Sequence, residues 1–416
     1  MNAPVSGSVR SAHLHEQAPT PVQAQAPRRV FVCFSTDWHG HPSTVSHLFK
    51  IIAQTERVVW VNSMGQRAPR LSWDDAKRAW NKLRNGARPA APVADAPARF
   101  GTPAAIVEPR VLPFHRYGWV RRLNRALLER QLAPLLRPWR EQGAEIIFVT
   151  TNPAAADLVG AFGATRSIYI CMDEYAEMED SDPAAMRVCE PLLLARVDRV
   201  FATALSLCQR KTNGRSASLH LPQGVDFEHF QSAQTRVQPV ALRTLPRPII
   251  GFQGIVGARV DLDLFEKILQ RFPQASLVTV GRQEADLSRL QRYPNFHAFP
   301  AVPYSDLPRW VAPFDVGLIA YKIDAHTPAV NPLKLLEYLA LGQAVVSVDI
   351  PEIARHRGFV ELASSHEQYL TALARTLARY PFSAEEKQRR RRYAAQESWG
   401  QRAQFFLTEC DRIAAG

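Results

Sequence analysis

Residues 331–353 read NPLKLLEYLALGQAVVSVDIPEI and join a helical pattern directly to a strand-like run. Leucines recur at helical spacing over 331–342, so one face of that helix can be buried. Lys334 and Glu337 stand three positions apart near its amino end and therefore lie on one side of it. The following AVVSVDI is apolar and rich in valine, which is typical of a strand. The segment therefore predicts part of an α/β domain.

The start of this predicted helix has the properties of an anion site. Its free N–H groups and the helix dipole attract a phosphate, and Lys334 adds a charged donor. The Glu337 carboxylate can accept hydrogen bonds from sugar hydroxyls. Together these groups are typical of a nucleotide-diphosphate site. An amphipathic helix with an ordinary surface ion pair fits the same spacing, but other segments favour the first interpretation.

Strand-like and helical segments alternate along the rest of the chain. In the first half the predicted strands are RRVFVCFS, ERVVWVNS, AEIIFVTT, SIYICMDE, DRVFATAL and SASLHLP. In the second half they are RPIIGFQG, ASLVTVG, NFHAFPAV, VGLIAYK and AVVSVDI. The alternation predicts an α/β protein with two doubly wound parallel-sheet, Rossmann-like domains that face each other across a cleft. Ligands of such sheets bind beyond the carboxyl ends of the strands.

The length of 416 residues exceeds one typical core and favours two domains. A polar tail without the apolar centre of a signal peptide opens the chain. An Ala/Pro-rich stretch near 85–98 is expected to be a mobile loop. The predicted organisation is a disordered tail over 1–27, a first domain over 28–230, a linker over 231–246, a second domain over 247–382, and C-terminal helices over 383–416 that pack back on the first domain.

Composition restricts the class of protein. The five cysteines show no CxxC spacing, so we expect buried reduced thiols in a cytoplasmic protein, without zinc or disulfides. No apolar run approaches the roughly 18 to 20 residues that span a bilayer, so membrane contact would be peripheral. The net charge of +12 indicates an anionic partner.

Two basic segments carry much of this charge. The segment from Phe114 to Arg140 suits a basic amphipathic helix on the inner face of an anionic membrane, and a solvated helix face fits equally. The run from Lys387 to Arg392 matches no nucleic-acid module and is interpreted as surface.

Five segments in a fixed order support a named resemblance. They are LPQGVDFEHF (221–230), FQGIVGARVDLDLF (252–265), VTVGR (278–282), NFHAFPAVPYSDLPRWVAPFDVGLIAY (295–321) and VNPLKLLEYLALGQAVVSVDIPEI (330–353). The chain resembles GT-B glycosyltransferases, in particular the nucleotide-sugar-dependent family 4 and its relatives in bacterial polysaccharide assembly. The resemblance implies the two-domain GT-B fold, a glycine-rich first loop in the donor domain, and a ribose-binding role for Glu337.

Departures from the family pattern are equally informative. Gln223 replaces the common Asn, Ala329 stands where a second glutamate is usual, and Ile255 follows Gly254 where an arginine is usual. Arg259 is then the nearest cation and would share the diphosphate with Lys334, although it fits a loop cap as well. The predicted donor-binding residues are Gly254, Gly257, Arg259, Asn331, Lys334 and Glu337.

The first domain should hold the acceptor, at the ends of two strands. If the reaction inverts the anomeric centre, one group must act as general base, and Asp173 is the first choice, with Glu174 and His39 behind it. His41 is predicted to bind substrate in the loop after the first strand. A hydrogen-bonded loop pair fits both histidines, and a loop cap fits Asp173. A retaining reaction requires no such base.

Asp180 and Asp182 form a DxD spacing that binds metal in another transferase architecture. Asp182 is better explained as the cap of a helix that begins at Pro183, and the sequence places no converging oxygen ligands nearby. No metal and no cofactor are therefore predicted, and the donor would be a UDP- or GDP-linked sugar.

The predicted function is a metal-independent, hexosyltransferase-like enzyme that moves a sugar to a glycan or lipid-linked acceptor in cell-surface or extracellular polysaccharide biosynthesis. The alternatives are a nucleotide-sugar epimerase and a non-catalytic sugar-nucleotide-binding subunit of a polysaccharide complex. A NAD-dependent dehydrogenase is disfavoured because the first loop lacks GxGxxG, and nucleic-acid binding has only the charge in its favour.

Overall fold

The computed structural model of the protein describes residues 28–40, 42–65, 100–178, 181–324 and 327–413. The first half forms a seven-stranded sheet in the order β3-β2-β1-β4-β5-β6-β7, in which every pairing is parallel. Its strands are β1 (Arg29–Phe34), β2 (Arg57–Val61), β3 (Ala105–Val107), β4 (Glu145–Thr150), β5 (Arg166–Cys171), β6 (Arg199–Ala202) and β7 (Leu219–His220).

The second half repeats this arrangement. Its six-stranded sheet has the order β10-β9-β8-β11-β12-β13 and is also parallel throughout. Its strands are β8 (Ile249–Gln253), β9 (Ser276–Val280), β10 (Phe296–Phe299), β11 (Val316–Ile319), β12 (Ala344–Val348) and β13 (Glu361–Ala363). Both sheets have the doubly wound order, so the predicted fold class is confirmed.

Helices connect most of these strands. They are α1 (Thr44–Ile52), α2 (Gly118–Glu141), α3 (Pro183–Leu194), α4 (Leu205–Arg210), α5 (Phe227–Gln231), α6 (Val240–Arg243), α7 (Leu262–Arg271), α8 (Leu307–Val311), α9 (Lys334–Leu341), α10 (Pro351–Ala354), α11 (His366–Leu377), α12 (Ala384–Gln396) and α13 (Trp399–Ile413). The helix predicted over 331–342 is α9, which begins three residues later than expected. It ends at Gly342, whose φ of +81° closes the helix in the left-handed region.

In each sheet the strand order reverses beside the first strand, between β1 and β4 and between β8 and β11. Loops that leave these strands diverge to opposite faces and open a crevice at the carboxyl edge, where ligands of doubly wound sheets bind. The loop after β8 is the predicted glycine-rich loop, and the loop after β1 carries His39. The fold therefore places both predicted segments at the edges where a ligand can bind.

The two C-terminal helices divide between the domains. Phe406 of α13 lies in the first core with Phe31 and Phe49, and its ring centroid is 5.1 Å from that of Phe201. Arg390 of α12 is buried and donates to the carbonyl oxygen of Gly342 at 3.2 Å, at the end of α9. The basic run 387–392 is therefore not merely surface, because Arg390 satisfies a helix end.

The basic helix α2 also differs from its prediction. Arg121 is 8% exposed, and its Nε lies 2.7 Å from the Asp157 carboxylate. Arg125 donates to the carbonyl oxygen of Asp157 at 2.8 Å. These two arginines of the predicted basic segment therefore anchor α2 to the protein. Within the described ranges, no helix has both the length and the apolarity to cross a membrane.

Candidate functional site

The glycine loop after β8 makes room for a cation. Gly254 has a φ of +115°, and a Cβ at this position would lie 3.1 Å from the Nζ of Lys334. A Cβ at Gly281, after β9, would lie 1.9 Å from the carbonyl oxygen of Gly254. The positive φ at Gly254 and the close backbone approach at Gly281 require glycine. The two loops are joined by a 2.9 Å hydrogen bond from the Val256 N–H to the Arg282 carbonyl oxygen.

Lys334 begins α9 and is 9% exposed. Its Nζ lies 3.8 Å from the centroid of the Phe252 ring and 4.9 Å from that of Tyr321. Cation–π attraction holds the ammonium beside Gly254. Leu333 at the N-cap offers no side-chain hydrogen bond to the first turn of α9, so a ligand can use the N–H groups there.

Glu337 lies one turn further along α9 and is 8% exposed. Burial raises the pKa of Glu337 to about 7, against the lowering effects of Lys334 and of a hydrogen bond from Gln253. Since Lys334 and Glu337 are both buried, the alternative of an ordinary surface ion pair is wrong. The carboxylate lies where it can accept hydrogen bonds from a bound polyol.

Two predicted residues lie further along the same loop. Gly257 is buried, whereas the side chain of Arg259 is exposed. The Lys322 N–H donates to the Arg259 carbonyl oxygen at 2.9 Å, which ties the loop to the end of β11. Among the residues described, the guanidinium of Arg259 makes no ion pair.

Asn331 makes a contact between the domains. Its Nδ2 donates to the carbonyl oxygen of Thr203, after β6, at 2.9 Å. Two residues earlier, Ala329 is buried in a cluster with Ala204 and Leu207 of the first domain. The segment before α9 therefore packs against α4. Ala329, which stands where the family usually has a second glutamate, therefore places a small side chain at this contact between the domains.

Asp173 and Glu174 follow β5, at the carboxyl edge of the first sheet. Asp173 is half-buried, and its Oδ1 accepts the Glu174 N–H at 2.9 Å. The carboxylate of Glu174 is ion-paired with Lys211 and lies 3.6 Å from Arg210. Lys211 also lies 2.7 Å from the buried Glu190. Glu174 is thus held in a charge network with Lys211 and Glu190.

His39 lies exposed in the turn after β1, where the Gly40 N–H donates to the Asp37 carbonyl oxygen at 2.9 Å. The strand β4 separates β1 from β5, so the ends of these two strands lie about 10 Å apart. His41 lies outside the described residues.

Of the two aspartates in the DxD spacing, Asp180 lies outside the described ranges and Asp182 lies at the start of α3. Asp182 accepts the N–H groups of Ala184 and Ala185 at 3.1 and 3.2 Å and caps α3, as predicted. In the part of the chain that the structure describes, no three His, Cys, Asp or Glu side chains are grouped as metal ligands.

The structure brings Gly254, Lys334 and Glu337 together at the carboxyl edge of the second sheet. It adds Gln253, whose Nε2 donates to the Glu337 carboxylate and which the sequence interpretation missed. The sequence does place Gln253 at the end of a predicted strand, directly before the first glycine of the loop, and this position could have indicated a site residue. The group has a cation, a helix start without a side-chain cap, and a carboxylate, which suit a nucleotide diphosphate.

Similar structures show the same architecture. No family-wide sequence profile matches the chain. A sucrose-phosphate synthase from Thermosynechococcus elongatus superposes with a TM-score of 0.66 at 13% identity, covering 94% of this chain and 100% of that one. A trehalose-6-phosphate synthase from Burkholderia multivorans gives 0.59 at 15% identity, over 94% and 97%. The Anabaena protein HepE, solved with UDP and glucose, gives 0.58 at 13% identity, over 92% and 99%.

One curated relative is named as a teichuronic acid biosynthesis glycosyltransferase, TuaH of Bacillus subtilis (strain 168). It is 23% identical over 270 residues, which are 60% of this chain and 66% of the relative. The chain therefore matches slightly less than two thirds of that relative's length. The protein has the GT-B fold, and the predicted resemblance to GT-B glycosyltransferases is confirmed. The comparisons do not favour the epimerase or the non-catalytic subunit.

Proposed function

We propose that the protein is a glycosyltransferase that moves a sugar from a nucleotide-sugar donor to a glycan or lipid-linked acceptor in cell-surface polysaccharide biosynthesis. The observation that carries this proposal is the approach of Lys334 to Gly254 at the start of α9, with Glu337 one turn away. The name of the TuaH relative supports the polysaccharide pathway. The acceptor side is assigned to the first domain.

The donor is proposed to be a UDP-linked sugar. Lys334 and the N–H groups of α9 would stabilise the negative charge that develops on the departing diphosphate, with Arg259 reaching from the loop. These cations would perform this task without a metal ion. Glu337 would accept hydrogen bonds from the ribose hydroxyls. UDP is preferred to GDP because HepE was solved with UDP and a trehalose-phosphate synthase of E. coli with a UDP-sugar.

Asp173 is proposed to accept the proton of the acceptor hydroxyl if the reaction inverts. It lies at the carboxyl edge of the first sheet, where doubly wound domains bind ligands. Thr203 connects this edge to the segment directly before α9. Its Oγ1 donates to the carbonyl oxygen of Met172 at 3.0 Å, and its own carbonyl oxygen accepts from Asn331. The proposed acceptor and donor sides therefore meet through one residue.

Peripheral contact with an anionic membrane is proposed for the amino-terminal part of the predicted segment 114–140, together with the residues just before it. Five large apolar side chains are exposed within twelve positions, and Trp119 is 65% exposed. We call them the aromatic patch: Leu112, Phe114, Tyr117, Trp119 and Leu123. The exposed Arg116 and Arg122 adjoin it in sequence. Aromatic side chains among arginines suit the interface of an anionic bilayer.

The aromatic patch adjoins the edge at which an acceptor would bind. His115 lies within this segment, and its Nε2 is 3.2 Å from the carbonyl oxygen of Met64, after β2. The Cys189 thiol of α3 donates to the carbonyl oxygen of His115 at 3.6 Å. These contacts fix the segment near the carboxyl ends of the strands. A lipid-linked acceptor at the membrane surface would then approach the proposed site.

A thermal-shift screen against UDP, GDP, dTDP, ADP and CMP tests the donor site without an acceptor. A ligand at about 100 times its dissociation constant should add about 2.7 kcal/mol of stability. We expect UDP to stabilise the wild type and to lose this effect in Glu337→Ala. Glu367→Ala is the matched control, because Glu367 is exposed in the first turn of α11 in the same domain. No response of the folded wild type to any nucleotide would refute the proposed function.

A further inference from the structure

Gln253 is the last residue of β8 and is 3% exposed. Two contacts tie it to α9. Its backbone N–H donates to the Tyr338 hydroxyl at 2.9 Å, and its Nε2 donates to the Glu337 carboxylate. The first contact fixes the backbone, and the second aims the side-chain amide at Glu337. The position of this carboxylate is thus set jointly by a helix and by the end of a strand.

The oxygen atom of the Gln253 side-chain amide is left without a hydrogen bond. The Oε1 of Gln253 is buried and has no hydrogen-bond partner among the residues described. A buried acceptor without a partner is unfavourable, and a ligand hydroxyl at this point would satisfy it. Gln253 precedes Gly254, whose backbone turns away beside Lys334. The unpaired Oε1 of Gln253 therefore lies at the same site as Gly254 and Lys334, which are predicted to bind the donor.

We propose that Gln253 is a positioning residue that holds the Glu337 carboxylate toward the ribose hydroxyls and presents its own Oε1 as a second acceptor for them. This inference rests on the proposed function, because it presupposes a nucleotide at this site. It assigns ribose recognition to a pair of side chains from β8 and α9. It also makes nucleotide binding depend on the ionisation of Glu337.

The charged groups around Glu337 determine the sign of this dependence. Burial raises the pKa of Glu337 to about 7, Lys334 and the Gln253 hydrogen bond lower it, and Asp226 at the start of α5 raises it. Below this pKa the carboxyl is protonated and loses acceptor capacity. Binding that requires the ionised form should therefore strengthen as the pH rises, by about tenfold between pH 6 and pH 8.

Isothermal titration of UDP against the wild type and Gln253→Leu, from pH 6 to pH 9, tests the inference. Leucine removes the donor to Glu337, so we expect the midpoint of the pH profile to move upward and the affinity at pH 7 to fall about tenfold. The loss should be smaller for 2′-deoxy-UDP, which lacks one ribose hydroxyl. Gln253→Glu should move the midpoint further upward, because it adds a second carboxylate.

A wild-type midpoint near pH 7 that the Gln253→Leu variant shifts upward supports the proposal. The same affinity and pH profile in the wild type and a folded Gln253→Leu variant overturn it, while UDP binding itself leaves the proposed function standing. If the Gln253→Leu variant does not fold, the number of protons that the wild type releases on binding UDP tests the proposed coupling instead. UDP titrations at pH 7 in buffers of different ionisation enthalpy should show about half a proton released per nucleotide, and none would refute the coupling.

Discussion

The side-chain amide of Asn331 donates a 2.9 Å hydrogen bond to the carbonyl oxygen of Thr203. This contact joins the segment before α9 to the loop after β6, and hence the second domain to the first. A neighbouring bond runs from the Ser206 hydroxyl to the carbonyl oxygen of Pro328 at 2.8 Å. The residue that the sequence assigned to donor binding thus holds the two domains together at the start of the donor helix.

Replacing Asn331 with Ala should affect stability more than nucleotide affinity. We expect the free energy of unfolding to fall by about 1 kcal/mol, because one interdomain hydrogen bond is lost. The dissociation constant of UDP should change by less than about twofold, because the Asn331 side chain bonds to Thr203 of the first domain. A tenfold change would correspond to about 1.4 kcal/mol. Denaturant unfolding and isothermal titration measure the two quantities. Ser206→Ala removes the neighbouring interdomain bond and is the matched control for UDP affinity. A tenfold loss of UDP affinity in Asn331→Ala alone would support the predicted role of Asn331 in donor binding.

Lys334→Ala should weaken the binding of a diphosphate but not that of a nucleoside. The ammonium lies beside Gly254, where the proposed leaving group carries its charge. A lost hydrogen bond to a charged group corresponds to about 1.5–3 kcal/mol, or roughly ten- to a hundredfold in the affinity for UDP. The affinity for uridine should change little. Lys267→Ala, at an exposed position of α7, serves as the control. An equal loss for UDP and uridine would mean that Lys334 acts through packing alone.

Asp173→Asn should abolish most of the turnover while leaving UDP affinity unchanged. Removal of a general base typically costs about 10²–10⁴ in kcat. Glu174→Gln should instead lower stability by about 1–3 kcal/mol, because it leaves the largely buried Lys211 with a weaker partner. Activity assays with a UDP-sugar, and denaturant unfolding of each variant, separate the two roles. A kcat for Asp173→Asn close to that of the wild type would exclude Asp173 as the base and favour a retaining reaction.

The sequence predicted the sheets well because their strands are continuous apolar runs. It missed β3 and β13, which have three residues each and present too short a pattern. It grouped Lys334 with Glu337 correctly, because spacing along a helix is a local property. Burial is not local. The sequence could not show that Arg121 pairs with Asp157, since that contact depends on how α2 packs against the segment Pro153–Leu158 after β4.

The same limit applies to the candidate site. Gln253 meets Glu337 across 84 positions of sequence. Their contact follows from the packing of α9 beside β8, which no motif records. Asn331 was assigned from its place at the start of a helix, but its partner lies in the other domain. The sequence thus identified residues that share an element, and the structure identified those that meet through packing.

Membrane association should depend on the aromatic patch and not on Arg121 and Arg125, which are bonded to Asp157. Replacing Phe114 and Trp119 with Ser should weaken binding to vesicles of phosphatidylglycerol and phosphatidylcholine by about tenfold or more, since both rings are exposed. Vesicle co-sedimentation measures the binding. Val237→Ser with Val240→Ser is the control, because both valines are exposed on the linker. Unchanged sedimentation of the Phe114/Trp119 variant would refute this surface as the membrane contact.

Glu352 forms a further connection between the domains. Its carboxylate is 2% exposed, accepts the Leu205 N–H at the start of α4 at 2.5 Å, and lies 3.2 Å from His220 Nε2. Ala204 at the N-cap of α4 has no side-chain bond of its own, so Glu352 takes the place of a cap. Burial acts to raise the pKa of Glu352, but the hydrogen bonds from His220 and Leu205 outweigh it and hold the pKa below its ordinary 4.5.

A carboxylate whose pKa is lower in the folded state stabilises the protein above its unfolded pKa, and this contribution is lost as the pH falls through the folded value. Glu352→Gln should therefore lower the free energy of unfolding by about 1–3 kcal/mol at pH 7. The difference from the wild type should shrink as the pH falls below about 4.5. Urea unfolding between pH 3 and pH 7 measures it, with the exposed Glu367→Gln as control. A difference that stays constant over this range would show that the charge of Glu352 does not hold the domains together.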